Sequence, residues 1–503
     1  MSAARGQGAG SELQGAGSEL LRLREEVLKC RSCGSCRAVC PVFAEVGIES
    51  SVARGKVALV RAVLDGNLSL TSVFDQKLQL CLNCKSCVAE CPNDVRVDDI
   101  VLAARADLVA SGRLPFLKRI IFRQLLRRGR LLPPVGRVAS WFQRRVLRGL
   151  PPGSALRILL PVAGIDRDRV FPEFAPRAFL RDVPEVTPAR TAVIREAGDA
   201  RTRERGGGRD AAVVRPSPER AVERRAGEPA LAGADDRRAT ARSARRVAFF
   251  AGCATNLIYP ESGFAAVRAL AGAGVEVIVP RGQGCCGTPV FNSGDVVTAR
   301  EMARRNVDVL RATGADVVVT GCASCGLTLT REYENTLGIE GGAGLPVFDL
   351  TEFLALRGRW TPPREPSARL AAIASDVSAS RGAGGASGRL RVAYHDPCHL
   401  SRGQGIRREP RELLRSVPWI DFIEMRDADR CCGGGGSFCV THYDVAKRIG
   451  ARKADAVRDA DVDLLATECP ACVMQLRDML SRAGVRVSVV SMAELLDTGG
   501  PSR

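Results

Sequence analysis

Five cysteines occur twice along this chain, in the same order and at almost the same gaps. In the first set 31 residues separate Cys253 from the Cys285-Cys286 pair, and 35 separate that pair from Cys322-Ala323-Ser324-Cys325. In the second set the gaps are 32 and 36, through Cys398, Cys431-Cys432 and Cys469-Pro470-Ala471-Cys472. Gaps that agree within one residue mark a duplicated module, over residues 247–357 and 391–497. Thiolates are soft ligands suited to iron–sulfur clusters and zinc. Five sulfurs also exceed the four that a tetrahedral zinc or a simple cubane takes.

Upstream, Cys30, Cys33, Cys36 and Cys40-Pro41 form a C-x2-C-x2-C-x3-C-P run, repeated by Cys81, Cys84, Cys87 and Cys91-Pro92. In such runs three close sulfurs hold one cluster and the fourth reaches the other. One [4Fe–4S] cluster is therefore expected on Cys30, Cys33, Cys36 and Cys91, and a second on Cys81, Cys84, Cys87 and Cys40. Zinc ribbons are the alternative, but they use paired C-x2-C units. The stretch between the runs has helical spacing, so residues 22–112 read as a helical two-cluster domain.

Each five-cysteine module alternates apolar strands with helices, which argues for a parallel α/β unit. Strands at Val247–Phe250, Val275–Val279 and Asp316–Thr320, and at Val392–Tyr394, Phe422–Glu424 and Asp463–Ala466, each run toward cysteines. Those cysteines then fall at the C-terminal ends of the strands, where such sheets place their sites. The expected class is an α+β multidomain protein: a helical two-cluster domain followed by two duplicated α/β modules. Gly287 and Gly433 to Gly436 read as backbone that approaches the metal; the Cys431–Ser437 stretch lacks the lysine of a phosphate loop. His395 and His399 flank Cys398 and read as support around the metal, His442 as a further lining residue, and Cys439 as a small buried side chain outside the set.

These motifs resemble the iron–sulfur subunits of glycolate oxidase and lactate-utilisation enzymes and the heterodisulfide reductase D-type proteins, which carry two ferredoxin runs followed by two cysteine-rich "CCG" domains. Arg54-Gly55-Lys56, the Cys81–Cys87 run, Tyr394–His399 and Gly403–Leu414 carry the likeness. The resemblance implies one or two further clusters, of the non-cubane [4Fe–4S] kind, on Cys253, Cys285, Cys286, Cys322 and Cys325 and on Cys398, Cys431, Cys432, Cys469 and Cys472. It implies an electron-transfer subunit working with an FAD-binding dehydrogenase of glycolate or lactate, and passing electrons to quinone or another acceptor. Glycolate oxidase subunits often keep one cysteine where this chain has complete Cys322/Cys325 and Cys469/Cys472 pairs. That departure implies the alternative, a heterodisulfide reductase D-like protein with Cys431 and Cys432 as candidate catalytic residues. A structural zinc in the second module is a third reading, disfavoured by the complete sets.

The chain itself shows no dinucleotide fingerprint and no nucleophile elbow, so hydride chemistry is expected in a partner. The net charge of +18 comes from 67 Arg against only seven Lys. With 5% aromatic residues and no nucleic-acid motif, it does not argue for nucleic acid. Residues 1–21 read as a disordered repeat tail without an apolar leader core, so a reducing cytoplasm is expected, with a peripheral place at the inner membrane face open. Residues 113–180 read as a basic amphipathic helical segment that lies on a membrane surface, docks on a partner or packs on the two-cluster domain. Residues 181–246 read as a disordered Arg-rich linker, and 358–390 as a second linker.

Overall fold

The computed structural model describes residues 18–147, 169, 172–190, 234–381 and 389–499. The N-terminal unit is helical, built on Ala53–Leu64 and Val97–Ala110. Their apolar faces meet around Leu20, Val57, Val60, Phe74, Ile100 and Ala104. The two cysteine runs share one backbone path. Ser32 and Gly34 in the first run, and Asn83 and Lys85 in the second, all adopt positive φ. Glycine takes that conformation without cost, whereas Lys85 takes it against a steric penalty of about 1–2 kcal/mol.

Two sheets follow. The first joins β1 (Val186–Thr187), β2 (Arg246–Phe249), β3 (Glu276–Ile278), β4 (Val317–Thr320) and β5 (Val347–Asp349) in the order β1-β3-β2-β4-β5. The second joins β6 (Leu390–Tyr394), β7 (Ile420–Ile423), β8 (Leu464–Thr467) and β9 (Ser488–Ser491) in the order β7-β6-β8-β9. Apart from β1, which pairs antiparallel with β3, every pairing is parallel, in the same 2-1-3-4 order within each module. Val317, Val318 and Val319 are wholly buried, as a central strand covered on both faces requires.

The modules pack reciprocally. Helix Pro260–Gly272 of the first meets Met492–Leu495 of the second, while Leu350–Arg357 meets Arg408–Ser416. Their shared core runs from Phe249 and Phe348 to Tyr394 and Leu464. Arg357 pins one edge of it: its guanidinium donates to the carbonyls of Ala241 at 2.9 Å, Ala273 at 3.2 Å and Gly274 at 3.3 Å. Arg357→Met leaves these buried acceptors unpaired and should lower unfolding stability by roughly 2–4 kcal/mol, read from urea midpoints. A change under about 0.5 kcal/mol would mean that water replaces the guanidinium.

The structure corrects the segment boundaries. The tail reading fails at its end: Ser18 caps helix Glu19–Arg22, and Asp107 accepts from Ser18 Oγ at 2.7 Å and Glu19 N at 2.9 Å. Of its repeat, residues 8–20, residues 8–17 lie outside the described residues. The linker reading of 181–246 fails at both described ends, because β1 extends the first sheet and helix Ala234–Ser243 packs on Leu350–Arg357. In 358–390, Ala368–Arg381 is helical. These pieces are locally polar, and pairing with a distant sheet or helix orders them, which short-range pattern does not reveal. Pro133 and Pro134 stand in the first turn of helix Leu132–Phe142, a place that suits proline.

Candidate metal centres

The first two centres lie in the helical unit. One cavity is lined by Cys40, Cys81, Cys84 and Cys87, and a second by Cys30, Cys33, Cys36 and Cys91, with Cys87 on the wall they share. This is the crossed grouping that the spacing implies. The Phe43 N–H points at Cys40 Sγ and the Val95 N–H at Cys91 Sγ, both at 3.4 Å, so backbone donors already face the fourth sulfur of each set. Cys33 is exposed and Cys84 buried, giving the pair an outer and an inner end.

In each module the five sulfurs close on one another at the C-terminal ends of the strands. Cys253 Sγ lies 3.6 Å from Cys285 Sγ. Cys286 is flanked by the Cys285 and Cys325 thiols, whose hydrogen bonds hold it well below the usual cysteine range. Cys432 is held down in the same way by Cys431 and Cys472. The outer thiols are driven up: Cys285 by the neighbouring Cys253 and Cys286 sulfurs and by burial, Cys398 by Cys431 and burial. Five crowded sulfurs, four on buried and one on a half-buried cysteine in each set, cannot all ionise alone and form a donor set that a multi-iron centre fits and a single zinc does not.

The sets also touch. Cys322 of the first module meets Cys469 of the second, and the Ala323 N–H donates to the Glu468 carbonyl at 2.9 Å. Cys84 of the helical unit adjoins Cys431. Sulfur thus leads from the second ferredoxin cavity to the second module and on to the first. Within the glycine run a Cβ on Gly435 would meet Leu82 at 2.3 Å, so that position admits the ferredoxin loop, while Gly436 has open space beside it.

His395 lies with Cys432 and Cys472 in a buried trio whose ligand atoms fall within 4.8 Å of one another, while its Nδ1 faces the Ala428 carbonyl at 3.1 Å. Burial and the Lys453 charge push its pKa down to about 3, so the ring is neutral near pH 7. His399 instead bridges the units, with Nδ1 3.0 Å from Ser324 Oγ and Nε2 3.2 Å from the Asn83 carbonyl. His442 stacks on Phe438. Cys439 stays outside the five; its sulfur takes a hydrogen bond from Arg169 at 3.3 Å.

Pattern reading missed several buried polar groups. Lys85 Nζ contacts Asp98, and it lies 3.2 Å from Glu332 of the first module. Arg105 Nη2 donates to the Cys81 carbonyl at 2.8 Å and Nη1 to the Asn292 carbonyl at 2.7 Å, tying the second run to the same module. Asp349 and Glu468 are both buried, with Thr351 Oγ1 2.6 and 2.8 Å from their oxygens. Burial raises Asp349 to about 7, and burial with the Asp349 charge raises Glu468. Raised acids bind protons more tightly folded than unfolded, so their contribution is lost as pH climbs from the ordinary carboxylate range of about 4 toward 7. Urea midpoints should fall over this window, and less so in Asp349→Asn/Glu468→Gln; equal slopes would exclude the pair as the cause.

Residues 26–95 match the 4Fe-4S dicluster domain, and residues 247–330 and 392–477 each match the CCG cysteine-rich domain. The chain is 36% identical over 253 residues to the B component of the fumarate reductase (CoM/CoB) of Methanothermobacter marburgensis, covering 50% of this chain and 46% of that protein. It is 28% identical over 476 residues to the probable glycolate oxidase iron-sulfur subunit of Bacillus subtilis, covering 93% of both. It is 29% identical over 246 residues to the D component of the dihydromethanophenazine:CoB–CoM heterodisulfide reductase of Methanosarcina barkeri, covering 46% of this chain and 53% of that protein. The chain spans about half the length of the first curated relatives it matches. A dicluster domain and two CCG domains make it a protein of multiple iron–sulfur clusters. With these domains the chain is similar both to a probable glycolate oxidase iron-sulfur subunit and to a heterodisulfide reductase D component, each a subunit of an oxidoreductase.

Proposed function

We propose that this chain is the electron-transfer subunit of a flavin-dependent 2-hydroxy acid dehydrogenase of the glycolate oxidase type, oxidising glycolate or lactate. The observation that carries the reading is the sulfur path, from exposed Cys33 through the Cys84–Cys431 contact to the Cys469–Cys322 contact. Iron–sulfur clusters supply one-electron steps. The chain's own part is to hold the donors in register: Arg105 fixes the second run, His399 ties that run to both modules, and Gly435 lets the surfaces meet. The ferredoxin cysteines named above would hold two cubanes, and each five-cysteine set one further cluster. Substrate oxidation then belongs to an FAD-binding partner, with quinone or another carrier as acceptor. No helix among the described residues is long and apolar enough to cross a membrane.

The purified chain should carry no flavin and should reduce no dye with glycolate or lactate. Coexpression with its FAD-binding partner should restore dye reduction. Turnover by the chain alone would overturn this division of labour.

The complete cysteine pairs, facing each other at Cys322 and Cys469, favour one second reading: disulfide reduction on the heterodisulfide reductase D pattern. A thiol-dependent paramagnetic signal in the oxidised protein, lost in Cys432→Ser and kept in Cys286→Ser, would support it and assign the reactive side to the second module. Signals that ignore thiols would leave an electron relay.

A further inference from the structure

Residues 116–142 hold nine of the sixteen exposed large apolar side chains among the described residues. Phe116 is 74% exposed, Leu117 63%, Val138 68% and Trp141 59%. The segment's other flank is spent on the protein. Phe122 joins the core beside Leu102 and Phe291, Arg123 pairs with Asp295 at 2.9 Å, and Gly136 packs near Leu257. The helical turns Phe116–Leu126 and helix Leu132–Phe142 are therefore seated, and their exposed flanks face outward.

The same stretch contains no carboxylate from residue 113 to 150. Arg128, Arg130, Arg137, Arg144 and Arg145 are exposed and have no acidic partner among the described residues. Elsewhere this chain pairs its surface arginines repeatedly, as at Arg391–Asp461 and Arg426–Asp459. Scattered apolar side chains among unpaired cations fit a fluid surface that is apolar below and anionic above, whereas a folded acidic partner would need fixed pairs. A tryptophan, two phenylalanines and aliphatic side chains amid arginines form the composition of an interfacial helix.

We propose that the outer flank of residues 116–145 is a docking face for an anionic lipid bilayer, on which the chain lies without crossing it. The apolar side chains enter the acyl boundary and the arginines meet lipid phosphates, each cation adding roughly fivefold in affinity. The face needs no cluster and no particular organic acid, so it stands apart from the proposed electron-transfer reading. In a membrane-linked enzyme it would bring the chain to a lipid-soluble acceptor.

The test uses the full cluster-loaded chain with vesicles of phosphatidylcholine, alone or with about 30% phosphatidylglycerol. Cosedimentation should occur on the anionic vesicles and fall about tenfold or more when salt is raised from roughly 0.1 to 0.5 M. Trp141 is a local reporter, because Trp360 and Trp419 are half-buried with their indole N–H groups bonded to the Leu496 and Pro363 carbonyls. Its emission should shift to the blue and be quenched by doxyl-labelled lipid, and Trp141→Phe should remove that change. Phe116→Ser/Val138→Ser should weaken vesicle binding at least tenfold without altering iron content. Equal binding by that variant would overturn the proposal. So would absence of binding to anionic vesicles with hydrogen-exchange protection of this face only when the flavoprotein is added, which would assign it to a protein.

Discussion

Cys84→Ser should cost the protein about four irons, one cluster's complement, and should also alter the signal of the second CCG module. The second effect separates it from Cys33→Ser. Cys33 is exposed on the outer cavity, with its sulfur 3.5 Å from Ser35 Oγ and away from both modules, so its loss should remove a similar amount of iron and little else. Cys84 is buried, and outside its own set its sulfur contacts that of Cys431. Around that contact Val42, Leu82, Phe438 and Ile449 form one apolar cluster between the domains. Colorimetric iron on anaerobically purified variants checks the first effect, and paramagnetic relaxation in the dithionite-reduced protein checks the second. Full iron retention by Cys84→Ser would refute the ligand assignment. An unchanged module signal would refute the contact as the route between domains.

That contact orders the modules. The structure puts the second module against the ferredoxin unit through Cys84 and Cys431, and the first is reached from it through Cys469 and Cys322. In the glycine run, Gly435 serves docking at Leu82. A run of small residues signals a close approach, and not whether a metal or another domain makes it.

Much else was legible because its signals are local. A C-x2-C-x2-C-x3-C-P run leaves little choice of partners, and strands at Val317–Thr320 and Leu464–Thr467 announce themselves as unbroken apolar stretches ending at cysteines. What escaped depends on distance in sequence. β1 finds its partner across more than 85 residues, Asp107 caps a helix that begins at Glu19, and Arg357 serves carbonyls over 80 residues away. None of these residues is unusual in its own neighbourhood. Buried charge is hidden for the same reason: Lys85 looks like a solvated residue inside a metal loop until Glu332 arrives from another domain.

Lys85→Met should lower stability by roughly 3–5 kcal/mol and loosen the ferredoxin unit from the first module. The side chains of Lys85, Asp98 and Glu332 are each no more than 3% exposed. Burial alone would push the Lys85 ammonium down, yet the two carboxylates hold it above the ordinary lysine range, and its charge in turn holds Asp98 below the ordinary carboxylate range against burial. Removing the cation leaves two buried carboxylates without the ammonium that bridges them, which costs far more than the loss of one hydrogen bond. Methionine shares the left-handed strain that lysine bears at φ 59°, so the backbone cost is unchanged and the difference reports the charge. The decisive comparison is Lys85→Met/Asp98→Asn/Glu332→Gln. If uncompensated charge is the cause, neutralising all three groups should recover most of the loss in urea midpoints, and limited proteolysis should again cut between the domains slowly. A triple variant as unstable as the single one would instead assign the loss to packing of the Lys85 stem. A single variant within about 1 kcal/mol of the unsubstituted protein would mean that water reaches the site, and the three groups would then hold no domain in place.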